Sequence, residues 1–453
     1  MKPDFSLLKN KQFVRNFFML AIPLALQQLL ILSVGLMDSL MVGSLGETSL
    51  SAVTLGNQPA YIMTLLIFGL SGGCGAMIAQ YWGKGDTETI GKIMGFAIRT
   101  SLIAAFCFAA VVLTLPQQVM SLFTQDARTI ALGSEYLRVV GFSYLFYGFS
   151  NVYLSCLRNV ERVKIAVVVY SVSFCVNVFF NYMFIFGKFG APEMGVAGAG
   201  VGTVLARVCE VAVLIFYALK IETRVRLRFS HIFKTEKWLK KDFLHYGLPV
   251  IFNEVTWGLG VTVQTAVFGH LGVAAVACIS IIANVQQVLT VMIYGTADAG
   301  LVLTGKLVGA KEYQKAQSAG DCFLLISVLL GIASGCMLIF ARDFYLQLYS
   351  IAPQTYALAE EMIVVAGLAA MVQAVNITTI VGVLRGGGDT RFAMMLDMLF
   401  MWCLALPLGI LSAFAFALPV PLVLLCLRSD EFVKIFIGVR RVLSRKWLRN
   451  ITR

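Results

Sequence analysis

Three polar side chains interrupt stretches of this sequence that are otherwise apolar. Asp38 stands in VGLMDSLMVGSLG, and Asn177 and Asn181 stand in VNVFFNYMFIFG. If that second stretch is helical, the two asparagines are four residues apart and share one face. Thr203 closes a third run, GAPEMGVAGAGVGT. A carboxylate grouped with amide and hydroxyl oxygens can hold a proton, on an acid whose ionisation burial opposes, or a hard cation such as Na⁺. Asp38, Asn177, Asn181 and Thr203 are the expected coupling-ion residues, and a purely structural polar cluster is the alternative.

A second group lies in the other half of the chain. Glu254, in LPVIFNEVTWGLG, suits a cationic substrate or a proton. Asn253 and Trp257 flank it, and the indole is placed to stack on an organic cation. Asp298, in YGTADAGLVL, is the fourth member of this expected substrate cavity. Each has structural pairing as its alternative reading. Arg207 and Glu210, three residues apart, are expected to neutralise one another. Asp397, six residues beyond Arg391, is expected to snorkel or pair near the cytoplasmic face. Pro23 and Pro249 each remove a helix hydrogen bond and are the expected bends.

The composition says what must position these groups. The chain has 453 residues, 59% hydrophobic and 13% charged, where a soluble domain is about 25% charged. Its mean hydropathy is +0.83. No water-soluble fold hides that much apolar surface, and disorder, collagen and a secreted disulfide scaffold are excluded by the same figures. The ten cysteines sit in apolar stretches without CxxC spacing, and there are only three histidines. Zinc or redox chemistry is therefore not expected, nor is catalysis, since no nucleophile stands with a base.

Residues 1–15 (MKPDFSLLKNKQFVR) are too polar for a secretory core, so no cleaved signal is expected. Apolar segments able to cross about 30 Å follow at roughly 16–44, 50–80, 91–114, 133–157, 163–187, 196–219, 244–270, 274–305, 317–341, 358–384, 392–416 and 418–443. The twelfth is interrupted by Arg428, Asp430 and Glu431. Asp38 and Asn181 are each about six residues, or 9 Å, from the outer end of their helices, and Thr203 is about seven residues in.

With the N-terminus in the cytoplasm, the inward segments hold nearly all the Lys and Arg. Lys2, Lys9, Lys11 and Arg15 come first, the connector carries the densest run, and Arg385, Arg391, Lys434 and the tail come last. The outward loops hold only Arg128, Lys188 and Arg342. The net charge of +12 thus reports orientation in a plasma or inner membrane, with both termini cytoplasmic, and not a nucleic-acid partner. Attraction to anionic lipid is secondary.

The chain is also duplicated. At an offset of 226, Pro23 meets Pro249, Gly43 meets Gly269, Leu45-Gly46 meets Leu271-Gly272, Gly69 meets Gly295 and Gly83 meets Gly309. At 227, Leu157-Arg158 meets Leu384-Arg385. The expectation is an all-α membrane protein of twelve transmembrane helices in two six-helix lobes. An even number of helices per half gives a pseudo-two-fold along the membrane normal and a cavity between lobes. The divisions are 1–219, a cytoplasmic connector at 220–243, 244–443, and a basic tail at 444–453. Such a layout suits rocking between inward and outward states.

Several motifs now agree in order and spacing. They are P-x14-D-S-L-M-V-G-S-L-G from Pro23, N-x3-N at 177–181, FGKFGAPEMGVAGAGVGT at 186–203, LRGGGDTR at 384–391, and the ending KWLRNIT. Over essentially its whole length the chain resembles the multidrug and toxic compound extrusion (MATE) family, and its NorM-like bacterial branch in the fifth-helix region. The resemblance implies a twelve-helix antiporter that expels organic cations in exchange for H⁺ or Na⁺, with Asp38, Asn177, Asn181 and Thr203 at the N-lobe ion and substrate positions. It implies no cofactor beyond the coupling ion; a monomer in the bilayer is expected. Two positions depart from that branch. Its seventh-helix glutamate falls where this chain has Trp257, one turn from Glu254. Its tenth-helix acid falls at Ala374, near Gln373 and Asn376. A flippase for a lipid-linked saccharide is the alternative transport reading, but it would call for several basic residues in the cavity.

Overall fold

The computed structural model describes residues 3–234, 236–349 and 351–453. Lys2 and position 235 of the connector lie outside them. Twelve helical rods follow the twelve expected segments. They are α1 Lys11–Gly43, α2 Glu47–Lys84, α3 Thr87–Thr114, α4 127–159, α5 Lys164–Ile185 and α6 Gly195–Lys220. After the connector come α7 Leu248–His270, α8 Val273–Gly309, α9 Tyr313–Phe340, α10 Pro353–Leu384, α11 Thr390–Ala415 and α12 420–443. Among the described residues there is no strand. Nine of the rods are long and apolar enough to cross a bilayer. The other three are α4, α7 and α12. The first breaks at Gly141-Phe142, the second carries Asn253, Glu254 and Gln264, and the third breaks at Arg428. Leu40, Phe106, Leu219, Phe340 and Phe436 stand exposed on rod surfaces, as side chains that face lipid do.

The duplication reaches the backbone. Gly46 and Gly272 both have φ +110°, with ψ of 168° and 169°. Gly85 and Lys311, again 226 apart, are both left-handed (φ 81° and 63°), as are Glu161 and Gly388 (φ 63° and 84°) at 227. Glycine adopts the left-handed region freely; Lys311 and Glu161 hold it where their copies have glycine.

Helix packing divides the chain into two compact units. One takes the chain up to Ala25, Gly75–Gly85 and Leu244–Arg453; the other takes Leu26–Cys74 and Asp86–Phe243.

In the second of these, α6 lies against α5 through glycines. A Cβ on Gly198 would stand 2.6 Å from the Phe184 carbonyl, and one on Gly202 would stand 2.0 Å from Asn181 Oδ1. Small residues four apart let two backbones approach this closely. The connector is folded back on α3, where a Cβ on Gly95 would meet the His231 carbonyl at 2.5 Å and Lys92 pairs with Glu236 at 2.8 Å.

In the other unit the contact between α2 and α8 is reciprocal. A Cβ on Gly83 would lie 1.9 Å from the Lys306 carbonyl, and one on Gly309 would lie 1.8 Å from the Gln80 carbonyl. Residues 83 and 309, like 80 and 306, are repeat partners, so each half makes the same contact with the other's copy. The basic tail is packed as well. Trp447 is fully buried, and its indole N–H donates to Gln317 Oε1 at 3.0 Å. The Ile451 N–H donates to Gln80 Oε1 at 2.9 Å, and that of Arg449 to the Gly387 carbonyl at 2.8 Å. The glycines of LRGGGDTR make room for this tail: a Cβ on Gly387 would be 2.1 Å from the Trp447 ring.

Pro23 lies inside the continuous α1. Pro249 stands in a helical run that continues without a gap from Lys237 to His270. It is the second residue of α7, just after a wide π-type turn at Phe243–Gly247, so the ladder widens where the proline has no N–H to donate.

Candidate functional site

The glycine-mediated contact of α6 on α5 fixes Asn181, which is fully buried. Its amide Nδ2 donates to Asp38 Oδ1 at 2.5 Å and to Asn177 Oδ1 at 3.2 Å. Asp38 is half-buried, so the amide holds one side of its carboxylate. Thr203 Oγ1 donates to the Ala199 carbonyl at 3.0 Å, which leaves its oxygen able to accept. Asp38, Asn177 and Thr203 line one cavity of about 230 Å³ in this unit; Asn181 stands behind them. The four residues expected from the sequence are thus brought together.

One turn along α5 from Asn177, Ser173 begins a second polar layer. Glu210 on α6 is fully buried and accepts from Ser173 Oγ (2.6 Å), Ser150 Oγ (3.0 Å) and Arg207 Nη1 (2.7 Å). The pairing of Arg207 with Glu210 follows the sequence expectation, but its place on the cavity does not: both residues line it. Sequence reading missed Ser173, although it continues the i, i+4 ladder of Asn177 and Asn181. The tyrosines of α4 were missed too, and nothing in their spacing marked them. Tyr136 donates to Asn57 Oδ1 at 3.0 Å, and Arg207 lies over the Tyr147 ring at 5.0 Å.

In the other unit the expected substrate residues are differently engaged. Glu254 is not a lone carboxylate. It is buried and accepts from Arg385 Nη2 at 2.6 Å. Arg385 and Lys434, counted above with the inward basic residues, are each 2% exposed, so they serve internal ion pairs and not the membrane surface. Lys434 Nζ reaches Asp397 at 2.8 Å and Asp430 at 2.7 Å. Asn253 donates to Asp397 at 3.2 Å, and Asn376 to Glu431 at 2.6 Å. The pairing expected for Asp397 is therefore present, within a buried network. Trp257 is half-buried on α7, and Asp298 is buried on α8. Among the described residues no three His, Cys, Asp or Glu are grouped to hold a metal ion.

The MatE family model matches residues 23–183 and again 249–411. Each match begins at one of the repeat-related prolines, Pro23 and Pro249. The chain belongs to the MatE family. Multidrug resistance protein MdtK of Yersinia pseudotuberculosis is 26% identical over 401 residues, 88% of this chain and 87% of that protein. The uncharacterized transporter YisQ of Bacillus subtilis is 23% identical over 441 residues, 96% and 95% of the two chains. A solved MATE transporter of the MOP superfamily, described as outward-facing, superposes with a TM-score of 0.85 at 21% identity, covering 95% of this chain and 96% of its own. A MOP superfamily transporter from Pyrococcus furiosus, described as having a binding pocket of reverse polarity, gives 0.84 at 21%. As a MATE protein the chain is a multi-pass membrane transporter, and its twelve rods in two lobes are the MATE layout.

Proposed function

We propose that this transporter exports organic, mostly cationic compounds in exchange for H⁺ or Na⁺ by alternating access, as the name of its MdtK relative suggests. The charge balance of the cavity carries this reading. Glu210 is neutralised by Arg207 and saturated by two serine hydroxyls, so Asp38 is the cavity's one unbalanced charge among the described residues. A cation and a coupling ion then compete for the same carboxylate. Asn177 and Thr203 supply neutral oxygens beside it, a set that serves either a proton on the Asp38 carboxyl or a Na⁺. Pro23, fifteen residues back along α1, gives that helix a place to bend when Asp38 changes charge. The protein works as a monomer in the cytoplasmic membrane, with both termini inside. Efflux of a fluorescent organic cation from proteoliposomes, with the pH and Na⁺ gradients imposed separately, tests the reading. Export driven by one of the two gradients is expected; dye movement indifferent to both contradicts it.

A further inference from the structure

We infer that a groove beside the N-terminal end of α1 is the seat of one anionic phospholipid. An acyl chain fills the groove, and Lys11 and Arg15 hold the headgroup phosphate at its mouth. Three observations carry the inference.

The first is the groove itself. It lies within the unit that holds the chain up to Ala25 and Leu244–Arg453, and its volume is about 290 Å³. Phe17, Phe18 and Ile22 of α1, Met292 of α8, and Ile326 and Leu329 of α9 form its walls. Phe18 (50%), Ile22 (54%), Met292 (45%) and Leu329 (60%) keep about half of their surface exposed, so the groove is open along one side. In a membrane transporter that side meets lipid.

The second is the chemistry of the lining, which selects the occupant. Thr296 is the one polar residue that lines the groove, and it is 1% exposed. A peptide strand or loop entering here would leave its backbone N–H and C=O groups without partners. An organic cation would meet no carboxylate. A hydrocarbon chain needs neither, and it gains with every methylene it buries.

The third is charge complementarity at the mouth. Lys11 stands seven residues before Phe18, and Arg15 seven before Ile22, so each basic residue shares a face of α1 with a groove wall two turns on. Both are exposed, and neither has an ion-pair partner among the described residues. The acids of this corner are engaged with other groups. The Asp4 N–H donates to Asp321 at 2.9 Å, Asp4 accepts from the Ser318 hydroxyl, and Asp321 accepts from Gln317 at 2.8 Å. Two unpaired cations therefore await a headgroup. One of net negative charge is favoured over a zwitterionic one, whose own cation opposes them.

The test is native mass spectrometry of the delipidated full-length protein, titrated with dioleoyl phosphatidylglycerol or dioleoyl phosphatidylcholine. The first phosphatidylglycerol is expected to bind about tenfold more tightly than the first phosphatidylcholine. Lys11→Gln with Arg15→Gln, both on the surface, should bring the two lipids to within about twofold. Lys240→Gln with Lys241→Gln, in the connector, should leave the preference intact. Ile326→Trp, which fills the groove, should weaken the first adduct of both lipids. Equal binding of the two lipids by the unaltered protein overturns the inference and needs no variant to do so. A preference that survives loss of Lys11 and Arg15, or that falls as far with Lys240 and Lys241, overturns it as well, since the attraction would then belong to the basic surface at large. A first adduct insensitive to Ile326→Trp would place the chain outside the groove. A lipid-free dimer that Ile326→Trp dissociates would give the groove to a second copy of the chain.

Discussion

Asn181 and Asp38 lie 143 positions apart in the chain, yet the amide of one donates to the carboxylate of the other at 2.5 Å. The contact depends on Gly202, because any Cβ there would fall on Asn181 Oδ1. A single small residue on α6 therefore sets the position of the carboxylate on α1 through α5.

Gly202→Ala should push the Asn181 side chain off Asp38. A misplacement of this size at a working site is expected to slow efflux by roughly tenfold or more. Asn181→Ala should give a similar loss without any clash. Initial efflux rates from proteoliposomes check both, and a Gly202→Ala protein of normal rate would show that the amide contact is dispensable.

Glu254 and Arg385 form a buried pair at 2.6 Å. Breaking such a pair from one side typically costs about 3–5 kcal/mol. Glu254→Gln and Arg385→Gln should each lower the thermal unfolding midpoint in detergent, and the double substitution should recover most of the loss. Independent, additive losses would mean that the pair contributes nothing as a pair.

The tail is expected to be part of the folded body. Trp447→Ala removes a fully buried ring and its hydrogen bond to Gln317, a change that costs on the order of 3–5 kcal/mol. A midpoint unchanged by Trp447→Ala would contradict the packing described for the tail at 444–453.

Pro23→Ala restores a backbone donor within α1 and stiffens it. Turnover is expected to fall more than substrate affinity, read from transport and equilibrium binding on the same preparation. Equal loss in both, or loss in neither, would remove the bend from the mechanism.

The sequence made the fold legible because a bilayer imposes long apolar helices, and all twelve segments lie within a few residues of the rods. Asp38, Asn177 and Asn181 were legible for the same reason, as polar groups that lipid does not tolerate alone. Structural pairing was one of two readings open for Glu254, and its partner was not legible because Arg385 sits in LRGGGDTR, where a basic residue reads as a loop charge. Only the fold places it 2% exposed against α7. The α4 tyrosines and the role of Arg207 on the cavity were not legible. Tyrosines recur throughout membrane helices, and spacing alone could pair Arg207 with Glu210 but not reveal which side of the pair faces a cavity.

The central claim is that Asp38 is the unbalanced charge through which ion and substrate exclude one another. Asp38→Asn and Glu254→Gln proteins, reconstituted in matched vesicles with the same panel of cationic dyes, test it most directly. Asp38→Asn should abolish gradient-driven efflux of every dye, while Glu254→Gln, once its stability loss is allowed for, should still couple efflux to the gradient. Transport by Asp38→Asn together with a uniformly inactive, folded Glu254→Gln would place the coupling site in the other unit.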